Sequence, residues 1–460
     1  MELGVGGSNP PSCTKKMGKE KKLKPSKELP LGFVDRQEKE LLIRDFVIFN
    51  IKEVMIKYGF QYLETPSFEY TDSIGKFLPD KDRPDEGVFS FQDEKKWLSL
   101  RYDLTAPLAR YVAKNYLEIP KPFKRYQLGT VWRNEKPGPG RFREFLQFDA
   151  DFVGTKSLQA DAELCVLISE ILEKCGLSKE EYIIKISSRK ITEELFKKIN
   201  INNNEQRLIA LRALDKIDRL GWNGVKQLLG KGRKDKSGDF TKGANLNSFS
   251  IETVEKELNK KSPNTEDLLE IFKIFKDYGF SNFEFDPSII RGLEYYTGPI
   301  FEVSLKFDVK NNKGQVIQFG SIGGGGRYDN LVNNFGNYDA PATGISIGLD
   351  RLVYALMQKK EFKVKQSKPV VICVFDKNLM KDYINLQKIL RDAGVSTEIY
   401  PEESKLKKQM EYANKINAPA VILYGEDEIK SGKPTLRDLS SGNEKSIPIK
   451  ELVNEIKKII

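Results

Sequence analysis

The chain of 460 residues contains no histidine. This absence excludes enzymes that need an imidazole of their own, such as Ser-His-Asp hydrolases, Cys-His proteases and HExxH metalloenzymes. Any chemistry must therefore use carboxylates, arginine, lysine, tyrosine, a bound metal or groups of the substrate.

Cysteine is scarce as well. The four cysteines, Cys13, Cys165, Cys175 and Cys373, have neither the spacing of a metal site nor the density of a disulfide framework. Cys165 and Cys175 fall in an apolar run with helical spacing, where we expect buried thiols. The sequence thus offers no metal site built from histidine or cysteine.

Long apolar runs are also missing. No segment reaches the roughly 18 uncharged apolar residues of a membrane-spanning helix. The N-terminus lacks the apolar core of a signal peptide, so we expect a cytoplasmic protein without a membrane partner. Hydrophobic residues make up 39% of the chain, enough for folded cores. At about 100–200 residues per domain, the length predicts two to four domains.

The net charge is +10, from 76 lysines and arginines against 66 acidic residues. A basic surplus is compatible with a nucleic-acid partner. It is equally compatible with a solvated, lysine-rich surface, so charge alone leaves both interpretations open.

Composition and periodicity divide the chain into successive regions. Residues 1–30 are basic and predict a flexible leader. A main domain is interrupted by a charged, helix-rich insertion, and a linker precedes a small α/β unit with a parallel sheet. The predicted ranges are 31–189 and 281–358 for the main domain, 190–280 for the insertion, 359–369 for the linker and 370–460 for the α/β unit.

Five shorter segments carry structural expectations. An amphipathic helix is predicted to run to about Tyr58, with Leu41, Leu42, Phe46, Phe49 and Ile51 on its apolar side. Strands are expected at 62–66, 300–307 and 315–322. The run Gly323–Gly326 lacks the strand and helix that flank a phosphate-binding loop, so it predicts a tight backbone bend.

The segment 123–152 is a strand, a Pro/Gly-rich loop and a second strand. Side chains alternate between the two faces of a strand, so one face of this hairpin is apolar and the other polar. The polar positions are Arg125, Gln127, Arg133, Arg141, Arg143, Gln147, Asp149 and Asp151. A solvated sheet face is one interpretation. The density of arginine and carboxylate favours a cleft for an anionic ligand with several functional groups.

These residues resemble a known family. Arg133-Asn-Glu135 and Arg141-Phe-Arg-Glu-Phe145 resemble motif 2 of class II aminoacyl-tRNA synthetases. The stretch from Gly344 to Arg351 is similar to motif 3, and 62–66 is similar to motif 1, which builds the dimer interface. The segments 291–298 (RGLEYYTG), 324–329 (GGGRYD) and 101–105 (RYDLT) resemble those of the histidyl members of subclass IIa.

The resemblance, which covers about 31–460, implies an α+β catalytic domain built on a mostly antiparallel sheet flanked by helices. It also implies a helical insertion and a C-terminal α/β domain that binds the anticodon. The implied activity is ATP-dependent activation of L-histidine to histidyl-adenylate and transfer of the histidyl group to tRNA(His) by a homodimer. Mg²⁺ is expected to bind mainly through the ATP phosphates. The insertion is expected to approach the acceptor arm of the tRNA, and Lys405, Lys407 and Lys408 are candidates for RNA phosphate contacts.

The resemblance also assigns roles to individual side chains. Arg133 and Arg291 are the implied catalytic residues at the amino-acid carboxylate and the α-phosphate. The alternative interpretation of Arg291 is a structural salt bridge with Glu294. ATP is expected to contact Arg133, Glu135, Arg141 and Arg351. For histidine, Asp103, Thr105 and Gln147 are implied at the ammonium group and Asp151 and Tyr296 at the imidazole. The full implied histidine set is Asp103, Thr105, Arg133, Gln147, Asp151, Arg291, Tyr295, Tyr296 and Tyr328.

Several alternatives remain open on the sequence. Tyr295 and Tyr328 are also compatible with a plain aromatic core. The main rival function is a noncatalytic synthetase-like protein, either a regulatory subunit of histidine biosynthesis or a sensor of uncharged tRNA. A synthetase for proline, threonine or glycine is a further alternative. Asn134 and Asp151 depart from the family pattern, which commonly has glutamate at the latter position.

Overall fold

The structure is a computed structural model that describes residues 26–75, 87–235, 238–290, 295–311, 313–359 and 368–460. The chain divides into two compact units, residues 1–362 and 363–460. Within the described ranges, no helix has the length and apolar character needed to cross a membrane.

The first unit contains most of the helices and strands. Its N-terminal part consists of α1 (Glu38–Lys57), β1 (Gln61–Tyr62), β2 (Phe68–Tyr70), α2 (Thr71–Gly75), β3 (Ser90–Asp93), β4 (Lys96–Leu100), α3 (Thr105–Lys114), β5 (Phe123–Trp132), β6 (Glu144–Val153), α4 (Leu158–Lys174) and β7 (Tyr182–Ser188). There follow α5 (Arg189–Lys198), α6 (Asn204–Leu214), α7 (Ile217–Leu229), β8 (Gly232–Lys234), β9 (Phe240–Lys242), α8 (Ser248–Leu258), α9 (Glu266–Asp277) and β10 (Phe283–Phe285). The unit ends with β11 (Pro299–Leu305), β12 (Val309–Lys310), β13 (Val316–Ile317), β14 (Gly323–Arg327), a short 3-10 helix (Val332–Phe335), β15 (Ala342–Gly348) and α10 (Leu349–Leu356).

Eight strands form the main sheet, in the order β1-β5-β6-β15-β14-β11-β7-β10. The two edge pairs, β1 with β5 and β7 with β10, are parallel, and all other pairs are antiparallel. Helices α4 and α10 pack against the sheet, and α1 packs against both of them. The predicted fold class, a mostly antiparallel sheet flanked by helices, is confirmed.

The glycine run was predicted wrongly. Gly323–Gly326 begins strand β14, which pairs with β11 and β15, and does not form a bend. The strands approach so closely that a Cβ atom on Gly325 would lie 1.9 Å from the carbonyl oxygen of Gly344. Glycine is needed there for close backbone packing, but a glycine run has no side-chain alternation from which to recognise a strand. The strand predicted at 315–322 is reduced to Val316–Ile317, which pairs with β12 outside the main sheet.

Helix α1 was predicted correctly, but its buried face was only partly identified. The buried positions are Ile43, Val47, Ile51, Val54 and Met55, which follow the helical period. Phe46 and Phe49 lie off this stripe and are exposed, Phe49 by 63%.

The helix-rich insertion has its own core, formed by apolar side chains from Leu195 to Val254 together with Ile290. Its last helix, α9, packs against α4, and β10 pairs with β7 at the edge of the main sheet. The chain therefore returns to the main sheet through α9 and β10.

The second unit contains β16 (Val370–Cys373), a short 3-10 helix (Lys377–Leu379), α11 (Met380–Asp392), β17 (Thr397–Ile399), α12 (Leu406–Lys415), β18 (Ala420–Leu423), α13 (Glu426–Ser431), β19 (Thr435–Asp438), β20 (Glu444–Ser446) and α14 (Ile449–Ile459). The strand order is β17-β16-β18-β19-β20. The first three strands are parallel as predicted, whereas β19 and β20 are antiparallel, so the sheet is mixed. These two strands are short and polar, and their hydrophobic alternation is too weak to predict them.

Candidate active site

The hairpin of β5 and β6 carries the predicted polar face. Arg125 lies opposite Asp151, and Gln127 lies opposite Asp149. Strand β15 flanks the hairpin and places Ser346 opposite Asp149. All four hairpin side chains are buried, and Arg125 is fully so. This part of the polar face is therefore buried and is not a solvated sheet surface.

Asp151 fits at this buried position because its neighbour on β15 is glycine. A Cβ atom on Gly344 would lie 1.9 Å from Oδ1 of Asp151. The hydroxyl of Tyr328 donates a hydrogen bond to Oδ1. Oδ2 lies 3.3 Å from Nη2 of Arg125 but accepts no hydrogen bond within the described part of the chain. Burial raises the pKa of Asp151, and Arg125 opposes this shift.

Arg125 was not predicted as a site residue. Its Nη2 donates to the carbonyl of Leu104 at 2.7 Å, and its Nη1 donates to Oε1 of Gln127 at 3.5 Å. Its Nε has no hydrogen-bond partner among the described residues. The signal that would have identified Arg125 was its position on the same polar face as Asp151.

Three residues expected at the ammonium group come together beside the start of α3. Oδ1 of Asp103 accepts hydrogen bonds from the backbone N–H of Thr105 at 3.2 Å and of Ala106 at 3.0 Å. Burial raises the pKa of Asp103, and these two bonds oppose the shift. Gln147 accepts from Nη2 of Arg133 at 3.3 Å and donates to Oδ1 of Asp149 at 2.8 Å. The hydroxyl of Thr105 lies 3.4 Å from Oδ2 of Asp149, to which it donates.

Tyr295, Tyr296 and Tyr328 pack together in an aromatic core, and two of their hydroxyls reach polar residues of the predicted site. Their rings form one group, with centroids 5.0 Å apart for Tyr295 and Tyr296 and 5.9 Å apart for Tyr295 and Tyr328. Tyr296 and Tyr328 belong to a buried apolar cluster, and Tyr295 packs against it. The hydroxyl of Tyr328 reaches Asp151, and that of Tyr295 hydrogen-bonds Thr105. Burial raises the pKa of Tyr295 and Tyr328, so both hydroxyls stay protonated.

Arg133 is held at the end of β5 by two aromatic rings. Its guanidinium carbon lies 4.5 Å from the ring centroid of Tyr102 and 5.2 Å from that of Phe145. Its Nε donates to the carbonyl oxygen of Tyr102 at 3.2 Å. The hydroxyl of Tyr102 donates to Glu135 at 2.8 Å, so the same tyrosine positions both residues.

The hairpin loop and α10 meet around Phe319. The guanidinium carbon of Arg351 lies 4.6 Å from the ring centroid of Phe319, which stacks on Tyr354 at 5.8 Å. A Cβ atom on Gly140 would lie 2.9 Å from the same ring. Next to Gly140, Arg141 is exposed and closes the loop through two backbone hydrogen bonds with Gly138. Phe319 was not predicted, and no sequence pattern indicated it.

Arg291 and its alternative partner Glu294 lie outside the described residues, so their predicted roles have no structural account. Within the described part of the chain, no group of three or more acidic or cysteine side chains is arranged to hold a metal ion. Cys165, Cys175 and Cys373 are free and buried, as expected for Cys165 and Cys175.

A mostly antiparallel sheet with a polar pocket on its central hairpin, followed by a helix that carries an arginine, is the arrangement of class II aminoacyl-tRNA synthetases. The family model described as histidyl-tRNA synthetase matches residues 32–352, and the model of the anticodon-binding domain matches residues 369–459. The chain belongs to the histidyl-tRNA synthetase family.

Individual relatives agree with this assignment. The histidine–tRNA ligase of Bartonella quintana is 46% identical, over 94% of this chain and 92% of that protein. The histidine–tRNA ligase of Rhodopseudomonas palustris is also 46% identical, over 92% and 91%. The histidyl-tRNA synthetase structure from Nostoc sp. PCC 7120 has a TM-score of 0.72 and 27% identity, and the match covers 95% of this chain and all of that one.

Proposed function

We propose that this chain activates L-histidine with ATP to histidyl-adenylate and transfers the histidyl group to tRNA(His). Family membership identifies it as a ligase, a histidine–tRNA ligase. The observation that carries the residue assignments is the burial of Asp103, Gln147 and Asp151 on and beside the β5–β6 hairpin, where Arg133 donates to Gln147.

In this proposal the imidazole of histidine lies against Asp151 and Tyr296. Oδ2 of Asp151 is a buried acceptor without a hydrogen-bond donor, so a ring N–H of the substrate satisfies it. An amino acid without that N–H leaves the oxygen unpaired, which is how a polar site rejects isosteres strongly. Tyr295 and Tyr328 line the pocket, and Asp103, Thr105 and Gln147 accept from the ammonium group.

Activation joins the histidine carboxylate to the α-phosphate of ATP and expels pyrophosphate. Negative charge gathers where these oxygens meet, so fixed cations aimed there stabilise the transition state. We assign Arg133 and Arg291 to this position because guanidinium binds phosphate and carboxylate bidentately. Glu135 and Arg141 position the nucleotide, and Arg351 binds its γ-phosphate end.

Mg²⁺ is proposed to arrive on the phosphates of ATP. The described part of the chain contains no group of acidic side chains arranged as a metal site, so no protein ligand is assigned to the ion.

Transfer to tRNA needs a group that accepts the proton of the ribose hydroxyl. The chain has no histidine, so an imidazole base is excluded. We propose that a phosphate oxygen of the adenylate accepts this proton. Sulfur substitution at the nonbridging oxygens is expected to slow transfer, and an unchanged single-turnover rate would contradict the proposal.

Contacts with tRNA are assigned to both units. In the second unit, the anticodon-binding match supports a role for Lys405, Lys407 and Lys408 at RNA phosphates. The insertion in the first unit is proposed to approach the acceptor arm. Exchanging the three lysines for glutamine is expected to raise the KM for tRNA without changing the KM for histidine.

The chain is also proposed to act as a homodimer through the region that resembles motif 1. The outer face of α1 exposes Phe49 by 63% and Ile56 by 70%, and the nearby Tyr62 is 45% exposed. Exposed apolar side chains on one face are typical of a protein interface. Ile56→Glu is expected to yield monomers in sedimentation velocity, whereas Leu117→Glu, at an exposed site elsewhere, is expected to leave the dimer intact.

Charging of tRNA with labelled histidine tests the proposed function. The wild-type chain is expected to charge tRNA(His), and Arg133→Ala is expected to abolish charging while Arg437→Ala, a surface control, retains it. Binding of uncharged tRNA without charging or adenylate formation would favour the noncatalytic regulator instead.

A further inference from the structure

Asp149 is a buried carboxylate that the proposed reaction does not use. It is 1% exposed and lies in the middle of β6, between Gln147 and Asp151 on the same face. No substrate group is assigned to it. Besides the Ser346 hydroxyl, however, it accepts hydrogen bonds from two residues that are assigned to the ammonium group of histidine.

The first of these residues is Gln147. An ionised carboxylate only accepts hydrogen bonds, so the side-chain amide of Gln147 must turn its NH₂ group toward Asp149. The Nε2 to Oδ1 distance is 2.8 Å. The amide oxygen therefore faces the other way, toward Arg133 and the pocket.

Thr105 is the second residue. Its hydroxyl lies 3.4 Å from Oδ2 of Asp149, to which it donates. Its oxygen also accepts from the Tyr295 hydroxyl, which leaves one lone pair as an acceptor for a ligand. An ammonium group has three N–H donors and no acceptor. Asp103, Gln147 and Thr105 then offer three acceptors, but two of them only while Asp149 is ionised.

We propose that Asp149 is a positioning residue for the substrate ammonium group, which in its ionised form holds the Gln147 amide and the Thr105 hydroxyl as acceptors. This inference rests on the proposed function, because it needs histidine in this pocket. It makes histidine recognition depend on the charge of a side chain that does not touch the substrate.

The surroundings of Asp149 give this proposal a pH dependence. Burial and the nearby Asp151 raise the pKa of Asp149 to about 7, while Arg125, Gln147 and Ser346 oppose the shift. The charged and titratable groups around Asp149 and its two hydrogen-bonded partners, among the described residues, are Arg101, Asp103, Arg125, Arg133, Asp151 and Tyr295. A protonated Asp149 can itself donate to Gln147, which frees the amide to turn its NH₂ toward the ammonium group. Histidine affinity is therefore expected to fall as the pH drops through about 7.

The test measures the KM for histidine in ATP–pyrophosphate exchange with Asp149→Asn. At about pH 8 the KM is expected to rise about 10- to 100-fold, the range for a hydrogen bond to a charged group. The ratio of variant to wild-type KM is expected to approach one near pH 6, because protonated aspartate and asparagine are both neutral. The ratio cancels the titration of free histidine.

Two further measurements separate positioning from a general loss of structure. Imidazolepropionate, a histidine analogue without the ammonium group, is expected to inhibit the wild type and Asp149→Asn with the same constant. Ser346→Ala removes a hydrogen bond that favours ionised Asp149, so its KM profile is expected to shift to higher pH.

Each unfavourable outcome has a distinct meaning. A ratio that is the same at both pH values, or an equal loss for histidine and imidazolepropionate, would overturn the inference. If Asp149→Asn does not fold, a Ser346→Ala profile that coincides with the wild type would overturn it instead. Absence of histidine-dependent exchange in the wild type would overturn the proposed function itself.

Discussion

Two buried arginine–aspartate clusters lie in the first unit, and they differ in how completely the nitrogens of the arginine are hydrogen-bonded. Arg327 donates to Asp161 and Asp329 and to the backbone carbonyls of Thr155 and Ser157, which uses all three of its nitrogens. In the other cluster, Nε of Arg125 has no hydrogen-bond partner among the described residues. Each cluster has one carboxylate oxygen without a hydrogen-bond partner among these residues, Oδ1 of Asp161 or Oδ2 of Asp151.

The same residue types thus serve different purposes in the two clusters. A saturated guanidinium links α4, β14 and the loop before α4, and it has no donor left for a ligand. A buried guanidinium with an unpaired nitrogen carries a cost in stability, which a ligand with a matching acceptor removes when it binds. Hydrogen bonding of the guanidinium, and not burial or charge, therefore distinguishes the structural cluster from the candidate site.

The largest expected effect is on stability, from Arg327→Met. Asp161 would remain buried without its partner, and breaking a buried ion pair costs about 3–5 kcal/mol of unfolding free energy. Urea unfolding followed by tryptophan fluorescence measures it in the first unit alone, because Trp97, Trp132 and Trp222 all lie there. Lys242→Met, which breaks an exposed ion pair with Glu205 in the same unit, is the control, and an equally small effect for both variants would contradict the comparison.

Arg133→Ala is expected to lower kcat/KM for ATP–pyrophosphate exchange by about 10²- to 10³-fold, the range for losing one fixed donor at a developing charge. Stability should change little, because the side chain is only half-buried. Normal exchange with an unchanged unfolding curve would remove Arg133 from the site.

Asp151→Asn is expected to raise the KM for histidine by about 10- to 100-fold, because an amide is a weaker acceptor than a carboxylate. The variant keeps the shape of the site, and Asp149 remains as a second carboxylate near Arg125, so unfolding free energy should fall by less than in Arg327→Met. A large stability loss with unchanged KM would make Asp151 a structural partner of Arg125, like Asp161 of Arg327.

The smallest effect concerns Asp149 in the ligand-free protein. Its folded pKa of about 7 lies above the ordinary value, so folding takes up a proton at a pH between these two values. At higher pH Asp149 is charged in both states, and its burial destabilises the folded state. Asp149→Asn is expected to raise the unfolding free energy near pH 8, and this gain should vanish toward pH 4, where the carboxyl is protonated in both states. Destabilisation at both pH values would show that the carboxylate is needed for the fold.

Much of this site was predictable because strand alternation is simple. The pattern from Arg125 to Asp151 placed the polar side chains on one face, and the register confirms that they meet. The assignment of Asp103, Gln147 and Asp151 to one pocket came from the resemblance, and the structure brings these residues together.

What the sequence did not predict depends on contacts between distant segments. The strand Gly323–Gly326 has no side-chain pattern, and its conformation depends on close packing against β11 and β15. The sequence predicted Asp149 only as one of several polar positions on the hairpin. Its contact with Thr105 was not predictable, because the two residues lie 44 positions apart in the chain. Phe319 meets the hairpin loop and Arg351 only through the tertiary fold.

The central claim is that the unsaturated pocket on β5 and β6 selects histidine. ATP–pyrophosphate exchange with each of the twenty amino acids in turn tests it most directly. We expect exchange with histidine alone, because only its ring N–H groups and ammonium group together satisfy Asp151 and the three acceptors around Asp103. Exchange with a different amino acid, or equal exchange with several, would contradict the account.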